Sequence, residues 1–516
     1  MNRNLKGLLV AVLALSAGQV QAAAAAKPVK KDATNRTFLS MRAHGVNLPM
    51  ESTGFNELAG RKAGDKFGAN FAVTGFYSST VDGKNNQSPY FLFQDAKEAK
   101  FGTDALTAFG TNVDGSMDYG QIVHVRNAAG NDATNLADAT GFTLALDPRQ
   151  TSYGVRLDYH QDLHKIVKGL YLRANLPVVR AENDLRAVVN GGTVATIGSA
   201  PGSPGAFTVS GAAATKTIND VIVAYFKGNL IGLKVLNQQA ALKFGKIDGK
   251  RSETGVADID VQLGYKFVDK AKYSAALGLG VTIPTGNKQT GEYAFAPVVG
   301  NGGHFGLGGD LCAGAQVWSE KESNVRLNLH LRYRYLFESS EKRILGLRGN
   351  DKVAIDLAQY KLLGDATTML LPAANILTQD VNVTPGSQLD GVLGLAYNSG
   401  GFSVDLGYNM YFREEEGVKV KTELAAAKYG LPTGALLAAD NAALAGAALN
   451  LSKDNVDTTA ATTPSQFTNS VFGGANYIFR SWDCPLMLGL GGNYEFASKR
   501  SAFSQWGVWG KVGIGF

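Results

Sequence analysis

Arginine, aspartate and histidine recur at every second position in several stretches of this 516-residue chain. Arg156, Asp158 and His160 alternate with Val155, Leu157 and Tyr159. Arg326, His330, Arg332 and Arg334 alternate with Leu327, Leu329, Leu331, Tyr333 and Tyr335. Asp258 and Asp260 are set against Ile259 and Val261, and Asp405 and Arg413 belong to a row opposite Val404, Leu406 and Phe412. Arg173, Asp310, Glu495 and Lys511 occupy equivalent places in other segments. On an extended chain, residues two apart point to the same side, so each set forms one charged face. Rows of fixed charge around a water-filled space sort ions by sign, and Arg326, Arg332 and Arg334 would form a basic ladder. The plainer alternative is that these charges pair across strands and only keep a wall polar.

Hydrolytic chemistry has little to stand on. The histidines are His44, His124, His160, His164, His304 and His330, and none belongs to a Gly-x-Ser-x-Gly motif. Gly302 to Gly309 is glycine-rich but lacks the Lys-Ser/Thr that follows a phosphate loop. Two cysteines, Cys312 and Cys484, make no disulfide framework, and no Cys/His spacing suggests zinc. A formal charge of +6, partly due to Arg3 and Lys6 at the start, is too mild over this length for a nucleic-acid partner. No enzyme, metal or cofactor is expected.

The charged rows are half of a period-two pattern whose other half is apolar. Val325 to Glu338, Asp258 to Phe267, Phe402 to Arg413 and Tyr153 to His160 all follow it, as strands do and helices cannot. These segments run about 9–14 residues, against about 5–6 in soluble sheets. Tyr and Phe gather at the ends of the apolar rows, as at a membrane interface. With the opposite face charged, the apolar face must meet lipid, and strands in lipid must close on themselves. The expectation is an all-β, transmembrane, antiparallel up-and-down barrel over residues 67–516.

In the last strand Trp506, Val508, Val512, Ile514 and the terminal Phe516 share one phase. A final Phe in that phase resembles the C-terminal signal that barrel-assembly machinery reads. Arg3 and Lys6 before the apolar run Leu8 to Leu15, then Val20-Gln21-Ala22, read as a signal peptide over 1–22, with cleavage as late as residue 26. The outer membrane, with its lipid and lipopolysaccharide, is the expected setting.

Fourteen segments alternate clearly, including 140–147 and 240–248. Working back from a periplasmic C-terminus makes 481–484, 399–401, 318–323 and 268–271 inner turns. Upstream, parity then demands two weaker strands, near 119–126 and within 193–210. The expected total is about 16, with about 14 to 18 as the range. It also places a helix within 218–236, capped by Asn219 or Asp220, on the periplasmic side. Residues 27–66 show no alternation and are either a periplasmic tether or a plug folded into the lumen; composition leans to the tether.

Tyr273 to Lys288 (YSAALGLGVTIPTGNK), with the strand Asp258–Phe267 before it, resembles an outer-membrane family linked to phenol-degradation (meta-pathway) clusters and grouped with fatty-acid-transporter-like barrels. The resemblance implies a transport barrel for small, hydrophobic compounds. The long segments 181–238, 338–388 and 414–466 depart from it. The expected function is an outer-membrane channel or porin-like transporter for small solutes. The alternatives are a plugged conduit for hydrophobic compounds and a structural or surface-interaction barrel that works through its long outer loops.

Overall fold

The computed structural model describes residues 35–45, 47–54, 68–92, 96–102, 117–118, 142–191, 218–229, 240–350, 352–365, 370–424, 428–431, 449–480, 484–498 and 500–516. Twelve strands form one antiparallel ring: β1 (Ala69–Val81), β2 (Arg149–Asp162), β3 (Leu170–Asp184), β4 (Ile259–Asp269), β5 (Tyr273–Ile283), β6 (Gly306–Glu320), β7 (Ser323–Leu336), β8 (Gly386–Ser399), β9 (Phe402–Arg413), β10 (Gln466–Phe479), β11 (Leu486–Ala497) and β12 (Ser504–Gly515). Each pairs with its neighbours in sequence, and β1 pairs with β12 from Asn70↔Gly515 to Val81↔Ser504. No edge is left open, which is what a bilayer requires of a sheet. The short strand Arg251–Val256 precedes β4 and pairs with the upper part of β3, while β4 pairs with its lower part.

The period-two pattern is realised as two faces. Outward residues include Leu279 (75% exposed) and Leu490 (72% exposed) at mid-height. Tyr265, Phe267, Tyr273, Phe402 and Tyr477 are exposed near the short turns, and Tyr77, Tyr153, Tyr335, Phe337 and Trp506 near the long loops. An apolar band between two aromatic girdles is a lipid-facing surface. The chain is a transmembrane β-barrel.

The count of sixteen strands is corrected to twelve. Residues 142–145 pair with 98–101 and 188–191 in a small sheet beyond the barrel. Residues 240–248 form only an isolated bridge, Lys246↔Tyr293. Without 240–248 the chain rises in β3 and returns in 251–269, so parity needs no added strand. The weaker candidates 119–126 and 193–210 lie outside the described residues, as does 1–34, where the signal peptide was read. The short turns after β4, β6 and β8 fall where expected, and 481–483 after β10 lies outside the described residues. The helix expected on the periplasmic side is Ile218–Phe226, and it sits among the long loops. There Tyr225 donates from its hydroxyl to Tyr360 O at 2.8 Å, and Asp220 lies in the first turn.

The long-loop end is closed by a hydrophobic cluster that includes Tyr90, Phe91, Phe101, Tyr225, Phe226, Phe295, Tyr360 and Phe503. Phe226 and Tyr360 meet edge to face at 5.0 Å, and Phe295 stacks on Phe503 at 5.9 Å. Below it a hairpin (Ser339–Ile344 with Thr378–Thr384) bears a charged knot: Arg343 donates to Glu341 at 2.8 Å and to Glu416 at 3.2 Å, and His304 Nε2 lies 2.7 Å from Glu341.

The lipid face predicts that Leu279→Arg will lower barrel stability by about 2–4 kcal/mol, the cost of an arginine near the bilayer midplane. Reversible guanidinium unfolding in phospholipid vesicles measures it; a change below about 0.5 kcal/mol would contradict this placement.

Candidate functional site: the occupied lumen

Residues 35–54 run down the inside of the ring from the long-loop end to the short-turn end. At the top, Leu357 N donates to Asn35 Oδ1 at 2.9 Å, Thr37 N donates to Ala460 O at 2.9 Å, and Leu39 joins the aromatic cluster. Lower down, Ser40 N donates to Thr463 Oγ1 at 2.9 Å, and the Gln466 amide donates to Ser40 O at 2.7 Å. Gly54 N donates to Asp405 Oδ2 at 3.1 Å near the start of β9, at the other end. One short helix, α1 (Leu48–Ser52), forms on the way, started by Asn47, whose Oδ1 accepts from Met50 N at 3.0 Å. Leu48 and Met50 pack on the inward side chains Val392, Phe472 and Trp509.

Two charged side chains of this segment meet the wall. The Arg42 guanidinium contacts Asp390 at 2.7 Å and Glu495 at 3.1 Å, and stands 4.5 Å from the centre of the Tyr411 ring. The Glu51 carboxylate receives Arg156 at 2.8 Å and a two-pronged contact from Arg332, 3.0 Å on each oxygen. The network spreads along the wall from there. Arg156 also holds Asp158 at 2.8 Å, and Arg332 holds Asp310 at 2.7 Å. Arg334 bridges Asp310 at 2.7 Å and Asp260 at 2.9 Å, and His330 Nε2 lies 3.2 Å from Asp310. Lys511, fully buried on β12, donates to Met50 O at 2.6 Å and Thr53 O at 2.7 Å, closing the C-terminal turn of α1. Forked arginine contacts of this kind are directional as well as strong, so they fix where α1 sits.

The charges read from the sequence therefore divide. Arg156, Asp158, Asp260, Asp310, His330, Arg332 and Arg334 converge on one network, joined to α1 through Glu51. Glu495 binds Arg42, and Arg413 binds Glu416 at 2.7 Å and contacts Ser40. Asp405 accepts from Gly54 N and from the Asn476 amide at 2.8 Å. His160 and Arg173 lie together, 3.4 Å apart, with Arg173 reaching Cys312 Sγ at 3.8 Å. Asp258 is buried in the break before β4, against Gly300 of the 284–303 loop, away from the network. The basic ladder does not form: Arg332 and Arg334 are each bound to carboxylates, and Arg326 stands apart from them. Sequence reading missed Arg42 and Glu51, which lie in a stretch with no periodicity, and Asp390, whose inward phase on β8 was legible. Cys312 and Cys484 are free. Among the described residues no group of three or more His, Cys, Asp or Glu is arranged to hold a metal.

No protein-family model matches the chain, and no curated protein matches it. Among solved structures it is similar to the COG4313 outer membrane channel from Pseudomonas putida F1, at 12% identity, covering 88% of this chain and 100% of that one, with a TM-score of 0.35. The Pseudomonas putida toluene transporter TodX gives 10% identity, 92% and 94% coverage, and a TM-score of 0.34. A FadL homologue from Pseudomonas aeruginosa gives 9% identity, 95% and 98% coverage, and a TM-score of 0.27. The likeness is weak.

Glu51→Gln removes the charge that balances two buried guanidinium groups, a loss of about 3–5 kcal/mol for a buried pair. The amides of Glu51 and Thr53, bonded within α1, are expected to exchange with deuterium at least about a hundred-fold faster in this variant while the wall strands keep their protection. Unchanged exchange at α1 would contradict the assigned role of the pair.

The knot under the lid predicts a pH dependence. Burial pushes the Glu341 carboxyl up, but Arg343 and His304 more than reverse this and hold it at about 2, below its ordinary value of 4.5. A lowered carboxyl stabilises the fold above the unfolded value and loses that contribution as pH falls through the folded one. The melting temperature should therefore drop between about pH 4.5 and 2, and less steeply in Glu341→Gln; equal slopes for both proteins would remove Glu341 as a cause.

Proposed function

We propose that this barrel is a plugged outer-membrane conduit for small solutes, with residues 35–54 as the plug. The observation that carries the reading is the pair of ionic anchors, Arg42 and Glu51, by which a non-strand segment fills the lumen. A wall that only needed to be stable could be packed with apolar side chains, and buried ion pairs are often no better than such packing. Ion pairs differ in one respect: they separate into water without leaving apolar surface exposed. A plug held by charge therefore comes away more readily when its path is wetted than one held by packing. The polar inner wall favours solutes that carry polar groups over purely hydrophobic ones. The lid of long loops belongs to the same reading, since Leu39 ties the top of the plug to it. Opening the outer end and releasing the plug are thus one linked motion.

Planar-bilayer recording separates this from a structural or surface-interaction barrel. Wild-type protein should give rare, brief openings. Arg42→Ala combined with Glu51→Gln, or removal of residues 27–54, should give stable ion steps of larger size. A folded, inserted plug variant with no rise in conductance sinks the proposal and promotes the structural reading.

A further inference from the structure

Beneath α1, toward the short turns, the lumen holds a cavity of about 450 Å³. It exists because inward positions there are small: Ala276, Gly314 and Gly394 face a space that larger side chains would fill. The volume lies within the usual range of small-molecule sites. Glu51 and Ser52 form its roof.

Two polar groups around this cavity lack partners among the described residues, one behind its wall and one facing it. The Tyr171 side chain is 1% exposed, and its hydroxyl makes no hydrogen bond. Its ring occupies a slot made by Gly264 on the adjacent strand: a Cβ on Gly264 would lie 2.1 Å from Tyr171 Cζ. Arg326 has no ion-pair or hydrogen-bond partner among the described residues, although Arg332 and Arg334 on the same strand are each held by carboxylates. Tyr171 Oη is itself shut off against Gly264, so the unpaired group that faces the cavity is the Arg326 guanidinium. Arg173 and Lys266 add positive charge around Tyr171, at 5.1 and 5.8 Å from its ring centre. Three acidic residues lie on the cavity: Glu51 is engaged with Arg156 and Arg332, Asp405 with Gly54 N and Asn476, and Asp269 ends β4 beside Lys270, which also lines it. Phe472, on the far side, offers an apolar face.

We infer that this cavity is a binding site for a small organic carboxylate with a flat apolar body. The carboxylate accepts from the Arg326 guanidinium, and the body lies against Phe472. Bare inorganic anions lack the apolar half of this match, and neutral aromatics lack the charged half. The site rests on the conduit reading only for its purpose, since a ligand here would lie directly under the plug.

Calorimetric titration of the full-length, detergent-solubilised protein with benzoate tests the site, with benzyl alcohol and inorganic phosphate as comparisons. Benzoate should bind one site saturably, and the other two at least about tenfold more weakly. Arg326→Gln should weaken benzoate binding about tenfold or more, and Tyr171→Phe should leave it unchanged, since that hydroxyl does not reach the cavity. Heat-modifiable gel migration verifies that each variant is a folded barrel. If phosphate binds as tightly as benzoate, or if Arg326→Gln leaves benzoate affinity unchanged in a folded barrel, the assignment is overturned. Should benzoate fail to bind while the Arg42/Glu51 plug variant still conducts, the site falls and the conduit stands. Benzoate binding without any conductance in that variant gives the reverse.

Discussion

The Glu51 carboxylate, held between Arg156 and Arg332, is the contact on which the interior depends. Arg156 is wholly shielded from solvent, and a guanidinium so placed needs a counter-charge within reach. Asp158 and Asp310 supply part of it from the wall, and Glu51 completes it from the inserted segment. With Lys511 the wall cations Arg156, Arg332 and Arg334 outnumber Asp158, Asp260 and Asp310 by one, and Glu51 of the inserted segment supplies that charge. A barrel of twelve strands leaves too little room for a wide aqueous pore but enough for one short helix. Size and charge together specify what fills it.

The same constraint explains why the lumen is divided. Above α1, Arg42 satisfies Asp390 and Glu495, a site where the wall carries excess negative charge. At α1 the excess is positive and is met by Glu51. A segment with a cation near its start and an anion nine residues on fits that gradient in one direction only, with its N-terminal end toward the long loops. Below α1 the described residues Thr53 and Gly54 add no charge, and Arg326 has no partner among the described residues.

Much of the barrel was legible from alternation, because lipid on one side and charge on the other impose a period-two pattern that no soluble loop needs. All twelve ring strands overlap segments read that way, though several run a few residues further. The two segments wrongly counted into the barrel, 140–147 and 240–248, misled for a physical reason: Leu144, Leu146, Leu242 and Ile247 pack under the aromatic lid, which writes the same short pattern without a membrane. The error then propagated, since one extra strand at 240–248 forced a second and moved helix Ile218–Phe226 to the wrong side. The site was less legible. Inward charges could be picked out by phase, but their partners could not, because closure brings Asp260 to Arg334 across two strands and Glu51 to Arg332 across most of the chain. Arg42 and Glu51 carried no local signal, as single contacts made at long range have no periodicity.

The cluster around the lid bears on how the ends of the barrel communicate. Arg343 binds Glu341 and Glu416, Glu416 binds Arg413, and Arg413 contacts Ser40 of the inserted segment. The chain of contacts runs from a loop hairpin, through the top of β9, to the plug, and two residues further on lies Arg42. A displacement of the hairpin must break either the Arg343 contacts or those of Arg413, because carboxylate forks of this geometry tolerate little stretching. Whichever breaks, the neighbouring buried charge loses its partner and the next contact weakens in turn. Paired charges in a dry interior thus behave as linked switches rather than independent bonds. An apolar interior would have sealed the barrel equally well, but it would have given the loops no grip on the plug.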